Sequence, residues 1–274
     1  MIMMKEDPGS KPIMIRKVWG YNLSCEFKLI SQLIGKYNFI SMDTEFPGIV
    51  HSPTVRRRLQ PNEQYSYLKA NVDALNIIQI GLTLSDAIGN LPSDQNNRYI
   101  WEFNFRDFNV KRDLHNKDSI DMLHRQGINF FRNTVQGVDS FHFAMLMRWS
   151  GLLFNNSVTW VTFHSAYDFG YLVKILTRHY LPRSLKEFLH VLRELFGRNV
   201  YDIKYMIRYS NALYGGLEQV ASILHVDRAI GKCHQAGSDS LLTSQTFHKM
   251  VNTYFINNEV KKHAGVIFGL EVTA

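Results

Sequence analysis

The sequence predicts an α/β fold, a mixed central sheet surrounded by helices, and three features of the chain predict it. Early on, β-prone runs stand close together with turn-forming residues between them: Phe39–Glu45, Leu75–Leu84 and Arg98–Phe105. From Ser119 onward, apolar residues recur at three- and four-residue spacing, the signature of helices with one buried face. A fourth apolar strand, Ser157–Phe163, lies among those helices instead of with the first three strands. With 274 residues, 45% of them hydrophobic and 13% aromatic, the chain can bury a large core, and one domain over residues 19–270 is favoured over two small ones.

Residues 1–18 carry Pro8, Gly9 and Pro12 among charges and read as a lead-in, with Ile15 to Trp19 the stretch that joins the fold. From Ser24, the residues Phe27, Ile30, Leu33 and Ile34 repeat at helical spacing until Gly35. The next run, Phe39 to Gly48, drives an apolar strand into two carboxylates and stops at Pro47-Gly48. Side chains alternate along a strand, so Asp43 and Glu45 share one face and Thr44 takes the other. Two acids so close repel, and a hard divalent cation is the usual remedy. Taken alone, an Asp-x-Glu pair is more often a solvated strand end.

Residues 51–74 are polar and basic and read as a solvated loop, with phosphate contacts from Arg56, Arg57 and Arg58 as the minority reading. The two β-prone runs that follow, with a turn-rich segment between them, complete an antiparallel meander in which Trp101 is a core residue. Helical patterns cover 119–126 and 141–151, and after the fourth strand Asp168 falls near the start of another helix. An acid there also serves as a cap that complements the helix dipole. Further helices over 184–197, 203–210 and 215–225 build the shell. Gly237 and Ser238 lead into Asp239 at the head of a last, long amphipathic helix. His234 stands five residues ahead of it, free either to reach a substrate over the site or to face solvent. Residues 271–274 form a short C-terminal end.

Meander, helix, strand, then alternating helices is the element order of an RNase H-like fold, whose mixed sheet carries acids at its middle. In that order Asp43, Glu45, Asp168 and Asp239 all fall at element ends that converge, which favours a two-cation site over chance. Other classes recede. The 31 basic and 24 acidic residues leave a net charge of +7, which suits a polyanionic partner without demanding one. Cys25 and Cys233 stand too far apart in sequence for a disulfide framework or a four-cysteine zinc site, which points to a reducing compartment. The start lacks the apolar core of a signal peptide and no run approaches the length of a membrane span, so a soluble, intracellular protein without a membrane partner is expected.

Three motifs, MDTEFPG at 42–48, FHSAYDFGYLVKIL at 163–176 and HQAGSDSLLT at 234–243, together resemble the exonuclease motifs of DEDDh enzymes. They are most similar to the Caf/Pop catalytic subunits of the Ccr-Not deadenylase complex, and the similarity runs from Trp19 to the terminal KHAGVIFGL. The resemblance implies a 3′-to-5′ exoribonuclease that shortens poly(A) tails of messenger RNA and releases 5′-AMP, using two divalent ions, Mg²⁺ or Mn²⁺, about 3.5–4 Å apart. It implies Asp43 as the bridging ligand, Glu45 and Asp239 on the nucleophile-side ion, Asp168 supporting the other directly or through water, and His234 as the base. Phe46 is the candidate contact for the terminal base; its alternative is a core aromatic following the strand. No RNA-recognition module accompanies these motifs, so the implied partners are single-stranded poly(A), the large helical scaffold of the Ccr-Not complex and the leucine-rich-repeat domain of a second deadenylase, in cytoplasm and nucleus. A general DEDDh exonuclease acting on DNA or RNA, and a non-catalytic scaffold subunit, are the alternatives.

Overall fold

The computed structural model describes residues 11–54, 57–256 and 259–271, so the first ten residues of the expected lead-in, Arg56 and residues 272–274 lie outside it. It begins with a strand where the rest of a lead-in was expected: Ile13–Val18 (β1) pairs in parallel with Arg98–Asn104 and closes one edge of the sheet. The helix Leu23–Leu33 (α1) buries Leu23, Phe27 and Ile30, as its spacing requires, and the acid-bearing strand Phe39–Glu45 (β2) follows.

The second half of the basic stretch is a helix, Pro61–Ala74 (α2), and not loop. Pro61 opens it, Gln60 and Glu63 form a reciprocal cap, and Tyr65, Leu68 and Val72 bury one narrow stripe. That stripe is hard to see among polar neighbours. Arg57 is exposed and pairs with Glu63 at 2.5 Å. The meander continues as Gln79–Ser85 (β3) and Arg98–Asn104 (β4), each antiparallel to its predecessor, with Trp101 fully buried. Three helices follow, Lys117–Arg125 (α3), Phe130–Gln136 (α4) and Ser140–Trp149 (α5); Asn116, Asn129 and Asp139 cap them in turn.

The strand Thr159–Thr162 (β5) then feeds Ala166–Thr177 (α6), followed by Leu185–Phe196 (α7) and a three-residue strand, Val200–Asp202 (β6), too short to be read from the sequence. Ile203–Met206 (α8), Leu217–Ile223 (α9) and the long helix Ala236–Tyr254 (α10) complete the fold. Among the described residues no helix is long and apolar enough to cross a membrane.

The sheet order is β1-β4-β3-β2-β5-β6, with β2 antiparallel to β3 and parallel to β5, and β5 parallel to β6. The fold is RNase H-like, a six-stranded mixed sheet between helices. Ile40 and Met42 of β2 join the main core with Trp101, Phe143 and Trp160, packed against α1, α2, α5, α6 and α7. The opposite face, with Phe39 and Val161, meets α10. There β3 presents Gln79, Gly81, Thr83 and Ser85, and Thr83 Oγ1 meets Ser240 Oγ at 2.9 Å. Gly81 decides how close the helix comes, since a Cβ at that position would stand 1.8 Å from the Ala236 carbonyl oxygen. The residues from Ala236 through Ser244 are therefore buried all round, unlike the half-exposed helix the spacing predicts.

Candidate active site

The parallel strands β2, β5 and β6 end along one edge of the sheet, and the acids gather there. On the α10 face, the carboxylate oxygens of Asp43, Glu45 and Asp239 lie within 4.8 Å of one another. Asp239 is delivered by the start of α10, which the buried Glu102 secures by accepting the Gly237 N–H. Both of its oxygens are held: Arg228 Nη2 donates to Oδ1 at 2.5 Å, and the His234 backbone N–H donates to Oδ2 at 2.8 Å.

Asp168 arrives differently. It stands in the first turn of α6, on the opposite face, where Thr44 also points, and Thr44 Oγ1 donates to its Oδ1 at 2.8 Å. It lies outside the tight three-carboxylate group, yet close enough to repel Asp43 and Glu45 electrostatically. The turn that positions it is tied down by buried Asp202, whose carboxylate accepts the backbone N–H of His164 at 2.8 Å, of Ser165 at 3.1 Å and of Phe268 at 3.1 Å. Such charge-assisted bonds fix the strand-to-helix corner.

Burial and mutual repulsion dominate the electrostatics. Burial first, then the neighbouring carboxylates Asp239 and Asp168, push Asp43 and Glu45 well above the usual carboxylate range. Burial pushes Asp168 up to about 7, although the Thr44 hydroxyl opposes the shift. Asp239 is raised by burial and held back by the Arg228 guanidinium. No hydrogen bond from a described residue reaches the carboxylate of Asp43 or Glu45. Oxygen donors alone, crowded, unpaired and costly to ionise, fit hard divalent cations well.

A cavity of about 490 Å³ opens over this cluster, lined by Asp43, Glu45, Asp239, His234, Phe46 and Phe163. His234 is exposed, with a left-handed backbone (φ 59°) that turns the chain back towards Asp239. Phe46 is half-buried: its ring stacks on Tyr167 at 5.1 Å and 15°, while still lining the cavity. It joins the core on one side and the cleft on the other.

Sequence reasoning missed Arg228, which also pairs with Glu218 and Ser238, because it stands on a loop without a local pattern. It also missed that Cys233, His234 and Asp239 present ligand atoms within 4.8 Å of one another. Burial and the nearby Asp239 and Glu218 push the Cys233 thiol up to about 11, so it is protonated at neutral pH and a poor ligand there.

Comparison with known proteins bears on this geometry. A family model described as "CAF1 family ribonuclease" matches residues 18–143 and 143–247. The "Probable CCR4-associated factor 1 homolog 10" of Arabidopsis thaliana is 46% identical over 270 residues, covering 98% of this chain and 95% of that protein. The "Poly(A) ribonuclease pop2" of Schizosaccharomyces pombe is 42% identical over 94% of this chain and 76% of its own length. The structure of S. pombe Pop2p in its Mg²⁺- and Mn²⁺-bound form superposes with a TM-score of 0.86 at 42% identity, covering 93% of this chain and 99% of that one. A structure of the yeast NOT1 MIF4G domain co-crystallised with CAF1 matches with a TM-score of 0.78 at 33% identity, over 97% of this chain and 100% of the matched one. Exonuclease I from Methylocaldum szegediense shares the fold alone, at TM-score 0.53 and 12% identity over 80% of this chain and 41% of its own.

Proposed function

The chain belongs to the CAF1 family of ribonucleases, and on that premise we propose that it is a 3′-to-5′ poly(A)-specific exoribonuclease, a messenger RNA deadenylase that releases 5′-AMP. The observation that carries the reading is the group of three crowded carboxylates, Asp43 and Glu45 without a cationic partner among the described residues and Asp239 braced by Arg228, with Asp168 set beside it, at the floor of an open cavity. These residues would hold two divalent ions, Mg²⁺ or Mn²⁺, with Asp43 shared between them, Glu45 and Asp239 on the side of the attacking water, and Asp168 on the other. Bound there, the ions supply the positive charge that activates a water and steadies a leaving 3′-oxygen.

The chain's own residues do the rest. Thr44 and the Asp202-bound corner keep Asp168 in register, and Arg228 with the His234 backbone keeps Asp239 from rotating. The exposed His234 side chain takes the proton from the attacking water, acting as a base and not as a ligand. Phe46, braced by Tyr167 and Tyr171, offers a ring to the terminal base.

As the catalytic subunit of the Ccr-Not complex, the protein has the large helical scaffold as a partner; the likeness to the CAF1 chain co-crystallised with the NOT1 MIF4G domain supports this. A leucine-rich-repeat domain of a second deadenylase as further partner, and action in both cytoplasm and nucleus, rest on the resemblance of the motifs.

Labelled 20-mers of adenosine, uridine and deoxyadenosine, incubated with purified protein and Mg²⁺ or with chelator, test the proposal. Adenosine is expected to shorten fastest from its 3′ end, and only with the ion present. Equal rates on adenosine and uridine would remove the poly(A) preference and leave an exonuclease. Equal rates on the deoxy strand would make it a general DEDDh nuclease, and no cleavage would leave a scaffold subunit.

A further inference from the structure

The same sheet edge that ends in acids at β2 ends in cations and rings at β5 and β6. Just past β5, Phe163 lines the cavity. Just past β6, Lys204 Nζ stands 5.9 Å from the centre of that ring and 5.8 Å from Phe268. One turn on, the Arg208 guanidinium lies 4.6 Å from the centre of the Phe268 ring and 5.8 Å from that of Tyr205, and its Nη1 donates to Glu271 Oε1 at 2.5 Å, a pairing that a phosphate would replace. Tyr209, 56% exposed, ends the row and shares a 2.7 Å hydrogen bond with the Tyr205 hydroxyl. Lys204 also donates to the Gly215 carbonyl, beside Gly216 and Leu217 of the cavity wall, so the row joins the cleft without a break.

Charge sets the direction. The carboxylate group that would bind ions repels every phosphate except the one being cut, so the rest of an RNA strand needs cations away from it. Alternating cations and aromatic faces is the surface that holds single strands without reading their sequence. Resting on the exoribonuclease reading above, we propose that RNA on the 5′ side of the scissile phosphate leaves the cleft over Phe163 and runs along Lys204, Phe268 and Arg208 towards Tyr209. Lys204 and Arg208 meet successive phosphates, and the rings meet bases.

The test compares the full chain with Lys204→Gln/Arg208→Gln, using fluorescent adenosine 3-mers and 20-mers. Binding is read in chelator across a salt series, and cleavage is read in Mg²⁺. The double variant is expected to bind the 20-mer about tenfold more weakly. Its slope of log affinity on log salt should flatten by about 1.4, since each single-strand phosphate contact contributes about 0.7. Cleavage of the 3-mer should fall much less than cleavage of the 20-mer, because a trinucleotide has too few phosphates to follow the row beyond its start at Phe163 and Lys204. Lys204 also braces the Gly215 turn, so Arg208→Gln alone provides a second variant that leaves that bond in place. It should show about half the change in slope, and Arg208→Lys should restore it.

Unchanged 20-mer affinity and salt slope in all three variants would overturn the proposal and leave the row as a surface for something other than RNA. Equal losses on 3-mer and 20-mer would overturn it too, since the residues would then act at the centre. A wild-type protein that binds the 20-mer with this length and salt dependence but never shortens it would sink the nuclease reading and keep the track.

Discussion

Asp43 concentrates the cost of the site in one residue: half-buried, it is crowded by Asp239, Asp168 and Glu45, and Arg228 opposes their repulsion. Replacing it should therefore abolish cleavage without unfolding the protein. Asp43→Ala is expected to lose nuclease activity in Mg²⁺ while its melting temperature in chelator equals or exceeds that of the wild type; a fall of many degrees would mean the carboxylate is a structural support instead. His234 carries a different expectation, since its backbone, not its ring, is tied to Asp239. His234→Ala should slow the chemical step by about 10²–10⁴-fold, the usual effect of a lost general base, with divalent-ion affinity measured by calorimetry nearly unchanged. A large loss of ion binding would make the imidazole a ligand. Both residues could be picked out from the sequence because a strand end and a helix start are local features. The partner holding Asp239 in place, Arg228, could not, because it reaches the site only through folding.

At the scale of elements, the site depends on how closely α10 lies on β3. Gly81 permits that approach, and any larger residue meets the backbone of Ala236 and not a side chain that could swing aside. Overpacking against well-packed neighbours costs about 1–3 kcal/mol, and backbone collisions occasionally more. Gly81→Ala is expected to lower stability in urea by about that amount and, by shifting Asp239 away from Asp43 and Glu45, to weaken Mn²⁺ binding at least tenfold. An unchanged Mn²⁺ affinity would show that α10 is positioned by something other than this glycine. The sequence marks β3 as a strand but does not mark Gly81 as a contact, because the contact belongs to a helix about 155 residues away. The same limit hid α2, whose narrow apolar stripe is meaningful only against α6 and α7, and β6, whose three residues are a strand only because β5 lies beside them.

For the whole molecule, the buried acids tie stability to pH. The folded-state Asp168 titrates at about 7 against 3.8 for an ordinary Asp, and Asp43, Glu45 and Asp239 are raised as well. Between pH 4 and 7 the folded, metal-free protein therefore holds more protons than the unfolded chain, and its stability falls as pH rises through that window. For Asp168 titrating alone the change would be roughly 4 kcal/mol. Melting in chelator should drop from pH 5 to pH 8, drop less in Asp168→Asn, and be largely restored at pH 8 by Mg²⁺; a flat profile in chelator would contradict the buried-charge account. The sequence by itself determined the fold class and the positions of the four acids at the ends of elements, because alternation, helical spacing and capping depend on neighbours a few residues apart, and its three motifs carried the resemblance to the family. Only the tertiary structure decided that Ile13–Val18 pairs in the sheet, that Asp168 approaches from the face opposite Asp43 and Glu45, and that Arg228 braces Asp239. Those outcomes depend on which strands lie side by side and which helix covers which face, and residues far apart in the chain settle that together.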